Sequence, residues 1–162
     1  MKTITRSIYQ LMAAMILTAT LAISAAAQTQ IPFKGTFQGY DTVTPPTTIV
    51  TTGTGMGTHL GQFSFTQENT INVANFTETG SAHWIAANGD SIYTTVVGAA
   101  VPGPVVFKIT DIHTITGGTG RFAGAQGSFT VERTHTVEPS ADGTHVIYGS
   151  FNGTITSPGA AH

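Results

Sequence analysis

Residues 115–127 read Ile115-Thr116-Gly117-Gly118-Thr119-Gly120-Arg121-Phe122-Ala123-Gly124-Ala125-Gln126-Gly127, and the fold class turns on how they are read. Gly117, Gly118 and Gly120 can adopt the positive φ that a tight turn needs, while Gly124 and Gly127 allow the chain to bend or bulge beyond it. The flanking segments alternate with period two. Val105, Phe107, Ile109, Asp111, His113 and Ile115 share one face, and so do Phe129, Val131, Arg133, His135 and Val137. The glycines therefore join two β-strands. A phosphate-binding loop is excluded, because the run contains no Gly-Lys-Ser/Thr, opens no helix and is followed by a strand. Arg121 within it is read as a solvated or packing residue.

Working outward, the same chemistry repeats along the chain. Phe33 to Val43 alternates around Phe33 and Phe37 and stops at Pro45-Pro46. Thr47 to Thr52 is β-branched throughout, and the glycine-spaced run Gly53 to Gly57 after it reads as a place where a hairpin turns. His59 to Thr66 places Phe63 and Phe65 on one face, with Leu60 and Gln62 on the other. Ser81 to Ala87 and Ser91 to Val97 flank Asn88-Gly89-Asp90. A two-residue Asn-Gly turn there sets Trp84 opposite Tyr93 and Ile85 opposite Ile92. After the turn at Pro139 to Gly143, His145 to Ile155 forms a last alternating segment. The count is eight short strands and no helix longer than a turn. Eight short antiparallel strands suit a closed barrel or a sandwich. Because these weakly charged strands carry few of the Lys or Pro residues that blunt sheet edges, closure is favoured: an all-β, antiparallel, eight-stranded up-and-down barrel of calycin-like form.

The N-terminus precedes this domain. Lys2 and Arg6, the apolar stretch Leu11 to Ile23 and Ala25-Ala26-Ala27 read as an export signal over residues 1–27, leaving 28–162 as one secreted or periplasmic domain. An apolar core of about 13 residues is short for a bilayer span, so no membrane anchor is expected after cleavage. Residues 28–162 hold 26 Thr and 19 Gly, a third of that length, and eight acids against four bases (Lys34, Lys108, Arg121, Arg133). The first count argues against a helical bundle or a doubly wound α/β enzyme. The second disfavours nucleic acid and anionic membranes as partners. With no cysteine in the chain, disulfides cannot stabilise the exported domain.

The residues most open to function are polar ones in line with apolar ones. Asp111 and His113 interrupt Phe107, Ile109 and Ile115, and Arg133 and His135 interrupt Val131 and Val137. On an inward face these four would stand in or at the mouth of an apolar cavity, with Asp111 pairing Arg133 across consecutive strands. At strand ends they would meet solvent instead. The other chemical classes lack a pattern: no His-x-His pair and no metal spacing among His59, His83, His113, His135 and His145, and no Gly-x-Ser-x-Gly elbow. The Glu residues show no carboxylate pairing fit for a glycosidase. No metal or cofactor is expected.

The 115–127 run resembles the G-G-T-G-x-F-x-G-A-x-G hairpin of the dirigent and allene oxide cyclase-like barrels. Thr58-His59-Leu60-Gly61, Ala86-Ala87-Asn88-Gly89-Asp90 and Gly153-Thr154-Ile155 are similar to small exported bacterial proteins of that type. The resemblance implies an eight-stranded barrel with an apolar cavity open at one end, binding a small hydrophobic molecule. It also implies, where there is chemistry, cofactor-free isomerisation, cyclisation or stereochemical direction. It carries over no catalytic residue: neither Asp111 nor Tyr148 matches a family motif. Two further readings stand beside it. One is a non-catalytic structural or cell-surface protein whose barrel is filled with side chains; the other is homo-oligomerisation through the Thr-rich outer faces.

Overall fold

The computed structural model describes residues 29–156; the export signal read over 1–27 lies outside them. Eight strands follow one another as hairpins: β1 Gln30–Thr44, β2 Thr48–Gly57, β3 Gly61–Asn72, β4 Thr77–Ile85, β5 Ser91–Val101, β6 Val106–Gly118, β7 Gly127–Thr136 and β8 His145–Thr156. Each pairs antiparallel with its neighbours, and β1 also pairs β8, so the sheet closes as an up-and-down barrel. Among the described residues the helical content is one 3-10 turn, Gly120–Phe122, inside the glycine-rich 115–127 connection. Closure leaves no exposed sheet edge, which answers how a Thr-rich domain without cysteine avoids edge pairing.

Alternation sorts the side chains. Thr residues mostly face out while aromatic and aliphatic residues face in, the reverse of the pattern in a membrane-spanning barrel. Phe33, Phe37, Phe63, Phe65, Trp84, Phe129 and Phe151 fill one half of the interior, with neighbouring ring centroids 4.8–6.4 Å apart. Leu60, Phe122 and Ala125 are buried from the connections at that end and close it. Trp84 lies in the middle, stacked on Phe65 at 4.8 Å and 16°.

Three local expectations are corrected. Gly53 to Gly57 is not a turn but the second half of β2, where the glycines face inward under aromatic rings. A Cβ at Gly55 would meet the Phe63 ring at 2.6 Å and Phe37 Cβ at 2.9 Å, so that strand can lie against the core only without a side chain there. Leu60 is not on the solvent face, because His59 takes a positive φ of 63° in the turn before β3 and tucks Leu60 into the barrel end. The β4–β5 connection is longer than two residues: Ala86 N–H donates to Asp90 O at 2.8 Å, and Gly89 N–H donates to Ala86 O at 2.9 Å. This moves the pairing by one residue, so that Trp84 opposes Ile92 and His83 opposes Tyr93. The reason is parity. Trp84 and Ile92 both belong inside, and a one-residue slip would have put Tyr93 in the core in place of Ile92.

Candidate functional site

Opposite the closed end, the interior changes character within about two residues along each strand. Asp41 on β1 follows Phe33 and Phe37 on the same face; Glu78 on β4 precedes Ala82 and Trp84; Asp111 on β6 and Arg133 on β7 continue the inward faces of their strands. All four are buried, and the guanidinium joins them. Arg133 Nε donates to Asp111 Oδ2 at 3.0 Å, Nη1 to Asp41 Oδ2 at 3.1 Å and Nη2 to Glu78 Oε1 at 2.7 Å. A planar fork with donors on three nitrogens suits this task, which a lysine ammonium could not perform in the same geometry. Asn69 Nδ2 also donates to Glu78 Oε1 at 2.7 Å, and the Thr51 hydroxyl donates to Asp41 Oδ1 at 2.5 Å.

Two imidazoles extend the cluster toward the opening. His135 Nδ1 donates to Asp41 Oδ2 at 2.6 Å, which fixes the tautomer and leaves Nε2 without a partner among the described residues. His145 stacks on it at 4.4 Å and 20°, its own Nδ1 donating to Thr136 O at 2.7 Å.

Three carboxyls around one guanidinium cannot all ionise cheaply. Burial pushes Glu78 up to about 8, helped by the Asp111 carboxyl beside it and opposed by Arg133, so at neutral pH Glu78 keeps its proton. That proton also supplies a donor to the Asp111 carboxyl, whose Oδ1 otherwise has no partner. Burial acts to raise Asp41 as well, but the hydrogen bond from His135, the charge of Arg133 and the Thr51 hydroxyl outweigh it and hold Asp41 below its ordinary range. For Arg133, burial acts to lower the value, and the charges of Asp111, Asp41 and Glu78 reverse this and raise it.

The outer end of this cluster opens into a cavity of about 180 Å³, walled by apolar side chains including Ile49, Ile71, Phe76 and Phe107, with Glu78 and His135 also lining it. The solved structure of a pterocarpan synthase dirigent protein matches the chain with a TM-score of 0.52 at 12% sequence identity, covering 80% of this chain and 93% of that one. The fold is dirigent-like. No protein-family model matches the chain, and no curated protein matches it in sequence.

In this dirigent-like barrel all four residues singled out from the sequence point inward, and Asp111 pairs Arg133 as the consecutive strands allow. Their positions differ, however. His135 lines the cavity, Asp111 and Arg133 lie in the ion cluster, and His113 lies among the aromatics. There His113 stacks on Phe129 at 4.7 Å with Nδ1 2.9 Å from the Thr94 hydroxyl, and burial drives it down to about 4, so it stays neutral. Asp41 and Glu78 were not singled out. Asp41 carried the same signal as Asp111, a charge in line with Phe33 and Phe37. Glu78 fell before the expected start of its strand at Ser81, although 78, 80, 82 and 84 share one parity.

A pH prediction follows from Glu78. The folded barrel holds this proton more tightly than the unfolded chain, whose carboxyl titrates near 4.5, so the Glu78 contribution to stability is lost as pH rises from 4.5 through about 8. His113 works oppositely, but only between about 4 and its ordinary 6.5. Above pH 6.5 the Glu78 slope is unopposed by His113, and denaturant midpoints should fall from pH 6.5 to 8.5. Glu78→Gln keeps an acceptor for Arg133 and Asn69 and an N–H for Asp111, and should flatten that fall; an equal fall in the variant contradicts the assignment.

Proposed function

We propose that the open end of the barrel binds one small apolar molecule bearing a carbonyl or hydroxyl group, and that Glu78 and the Asp41–His135 pair act on it as acid and base in a cofactor-independent isomerisation or cyclisation. What carries this reading is the composition of the cavity: apolar walls around a carboxyl that keeps its proton and an imidazole held by a carboxylate through Nδ1. A proton donor and a proton acceptor thus line one cavity, the arrangement that acid–base chemistry needs. Nε2 of His135 would take a proton from a carbon next to the ligand carbonyl while Glu78 turns its proton from Asp111 to the carbonyl oxygen, leaving a conjugated dienol. His135 then returns its proton to a different carbon of the dienol as the enol hydroxyl returns its proton to Glu78, which completes the isomerisation and restores both groups. The volume sets a limit as well. Pockets for drug-sized ligands measure roughly 300–1,000 Å³, so about 180 Å³ admits one ring or a chain end, with the remainder of a larger molecule outside the mouth. The dirigent-like fold supports a binding or stereo-directing role of this kind, in which the walls hold one conformation.

The ligand test is a panel of monocyclic phenols, aryl ketones and fatty acids, followed through the His135 ring resonances by NMR. Trp84 does not line the cavity, so its fluorescence is a poor reporter. A binder should shift His135, and Glu78→Gln should leave affinity within about threefold while lowering turnover by about a hundredfold. If no compound moves His135, the aromatic packing of the closed half favours the second reading, a structural barrel already filled by its own side chains.

A further inference from the structure

The rim of the open end has a chemistry of its own. Three of its four loops, 43–49, 71–77 and 101–107, contain no Asp, Glu, Lys, Arg or His. They present Val43, Val73, Phe76, Val101 and Val105 at 45, 64, 39, 67 and 71% exposure, and Pro45, Pro46, Pro102 and Pro104, which have no N–H to offer, are exposed as well. The loops are neighbours. Val43 pairs Ile49, Ile71 N–H donates to Thr47 O at 2.8 Å, Ala100 N–H donates to Phe76 O at 2.8 Å, and the Phe76 and Phe107 rings lie 6.3 Å apart. They form one apolar arc around the cavity. The fourth loop, 137–144, is different, with Glu138 and Asp142 exposed.

We infer that the open end of the barrel docks on a neutral or zwitterionic lipid surface. Exposed apolar groups gathered in one place mark an interaction site, and two features indicate its occupant. Protein interfaces are enriched in Tyr, Trp, Phe, Met and Arg and need a matching rigid shape. Here, beside the single exposed ring of Phe76, four valines and four prolines protrude from three separate loops, a form that enters a fluid phase without a complementary partner surface. These loops carry no Lys or Arg; the nearest exposed base is Lys108, which pairs Val101, and Glu138 and Asp142 on the fourth loop outnumber it, so an anionic leaflet gains no net attraction. Apolar groups are exposed on the barrel wall as well, Val97 paired with Ile112 and Tyr40 paired with Val146, but they stand on strands among Thr95, Ala99, Thr110 and Thr114 or Gln38, Thr42 and Thr52, and not on protruding loops. Docked in this way, the cavity faces the lipid, and an apolar molecule dissolved there reaches it without crossing water. The docking surface stands whether or not the cavity takes a ligand.

The test is co-sedimentation with phosphatidylcholine vesicles. The closed sheet and its core lie within residues 30–156, so the chain from Gln28 onwards is used and the apolar stretch Leu11 to Ile23 cannot contribute. Val101→Asp and Val105→Asp change exposed side chains that do not line the cavity. Each should lower the vesicle-bound fraction by about tenfold or more, the effect of withdrawing one buried valine from an apolar phase. Val97→Asp, equally exposed but on the wall, should change it by less than about twofold, the usual range for a surface substitution. Replacing part of the phosphatidylcholine by phosphatidylserine should weaken binding. No binding by the parent protein overturns the inference, as does equal loss in Val97→Asp. So does a dimer that the rim variants dissociate while vesicles have no effect. The His135 resonances report ligand binding separately, so failure of one reading leaves the other measurable.

Discussion

Arg133→Met should destabilise the barrel by about 3–5 kcal/mol, the cost of leaving buried charge without its partner, and against a total stability of about 5–15 kcal/mol this brings the domain close to unfolding. The guanidinium holds Asp41, Glu78 and Asp111 together from the centre of the cluster. Without it, Asp41 and Asp111 must protonate or admit water. The loss should therefore be larger at pH 7 than at pH 4, where protonation relieves the uncompensated charge. Urea unfolding at the two pH values checks both statements, and an Arg133→Met barrel as stable as the parent at pH 7 would show that the cluster is solvated. Adding Asp41→Asn and Asp111→Asn to Arg133→Met should recover part of the loss, because a buried ion pair replaced on both sides by neutral groups often costs little. If the single and triple variants are equally unstable, the cost is lost packing and not charge.

The second large effect lies at the other end of the interior. Trp84→Ala should cost about 3–5 kcal/mol, the range for removing a fully buried large aromatic. Trp84 stacks on Phe65 and stands 5.3–5.6 Å from the rings of Phe63, Phe129, Phe151 and His113, so the surrounding rings have little room to collapse into the space it leaves. Trp84→Phe should cost clearly less. Because Trp84 is the one tryptophan in the chain, the urea curves of both variants have to be followed by circular dichroism. A Trp84→Ala loss under about 1 kcal/mol would mean that the closed half is loosely filled, contrary to native packing density.

Much of the architecture was legible locally. A period of two, proline and glycine punctuation, and the run 115–127 were enough to expect eight strands and a closed sheet, because side-chain alternation and turn chemistry act over a few residues. Legibility failed where a local signal had two structural meanings. Gly53 to Gly57 reads as a turn by composition, yet forms a strand because aromatic rings from Phe63 and Phe65 occupy the space its side chains would take. Asn88-Gly89 marks a turn correctly but not its length, and one extra residue moved the register of β4 against β5. Glu78 lies before the strand boundary that the sequence suggests, and Asp41 stands on β1 as a lone charge in line with Phe33 and Phe37, with no second polar residue on that face to mark a cluster.

The sequence by itself determined which side chains share a face along a strand: most threonines on one, the phenylalanines and Trp84 on the other, with Asp111, His113, Arg133 and His135 in line with apolar residues. It could do so because the pleat alternates with every residue and needs no knowledge of distant strands. Which of those inward groups meet was decided by the tertiary structure alone. Arg133 lies 92 residues from Asp41, 55 from Glu78 and 22 from Asp111, and closure of β1 on β8 brings them to one level of the interior. The same closure separates His113, held neutral among aromatics, from His135, placed at the cavity. Position along the barrel axis depends on register and strand tilt summed around eight strands, and no local pattern carries that sum.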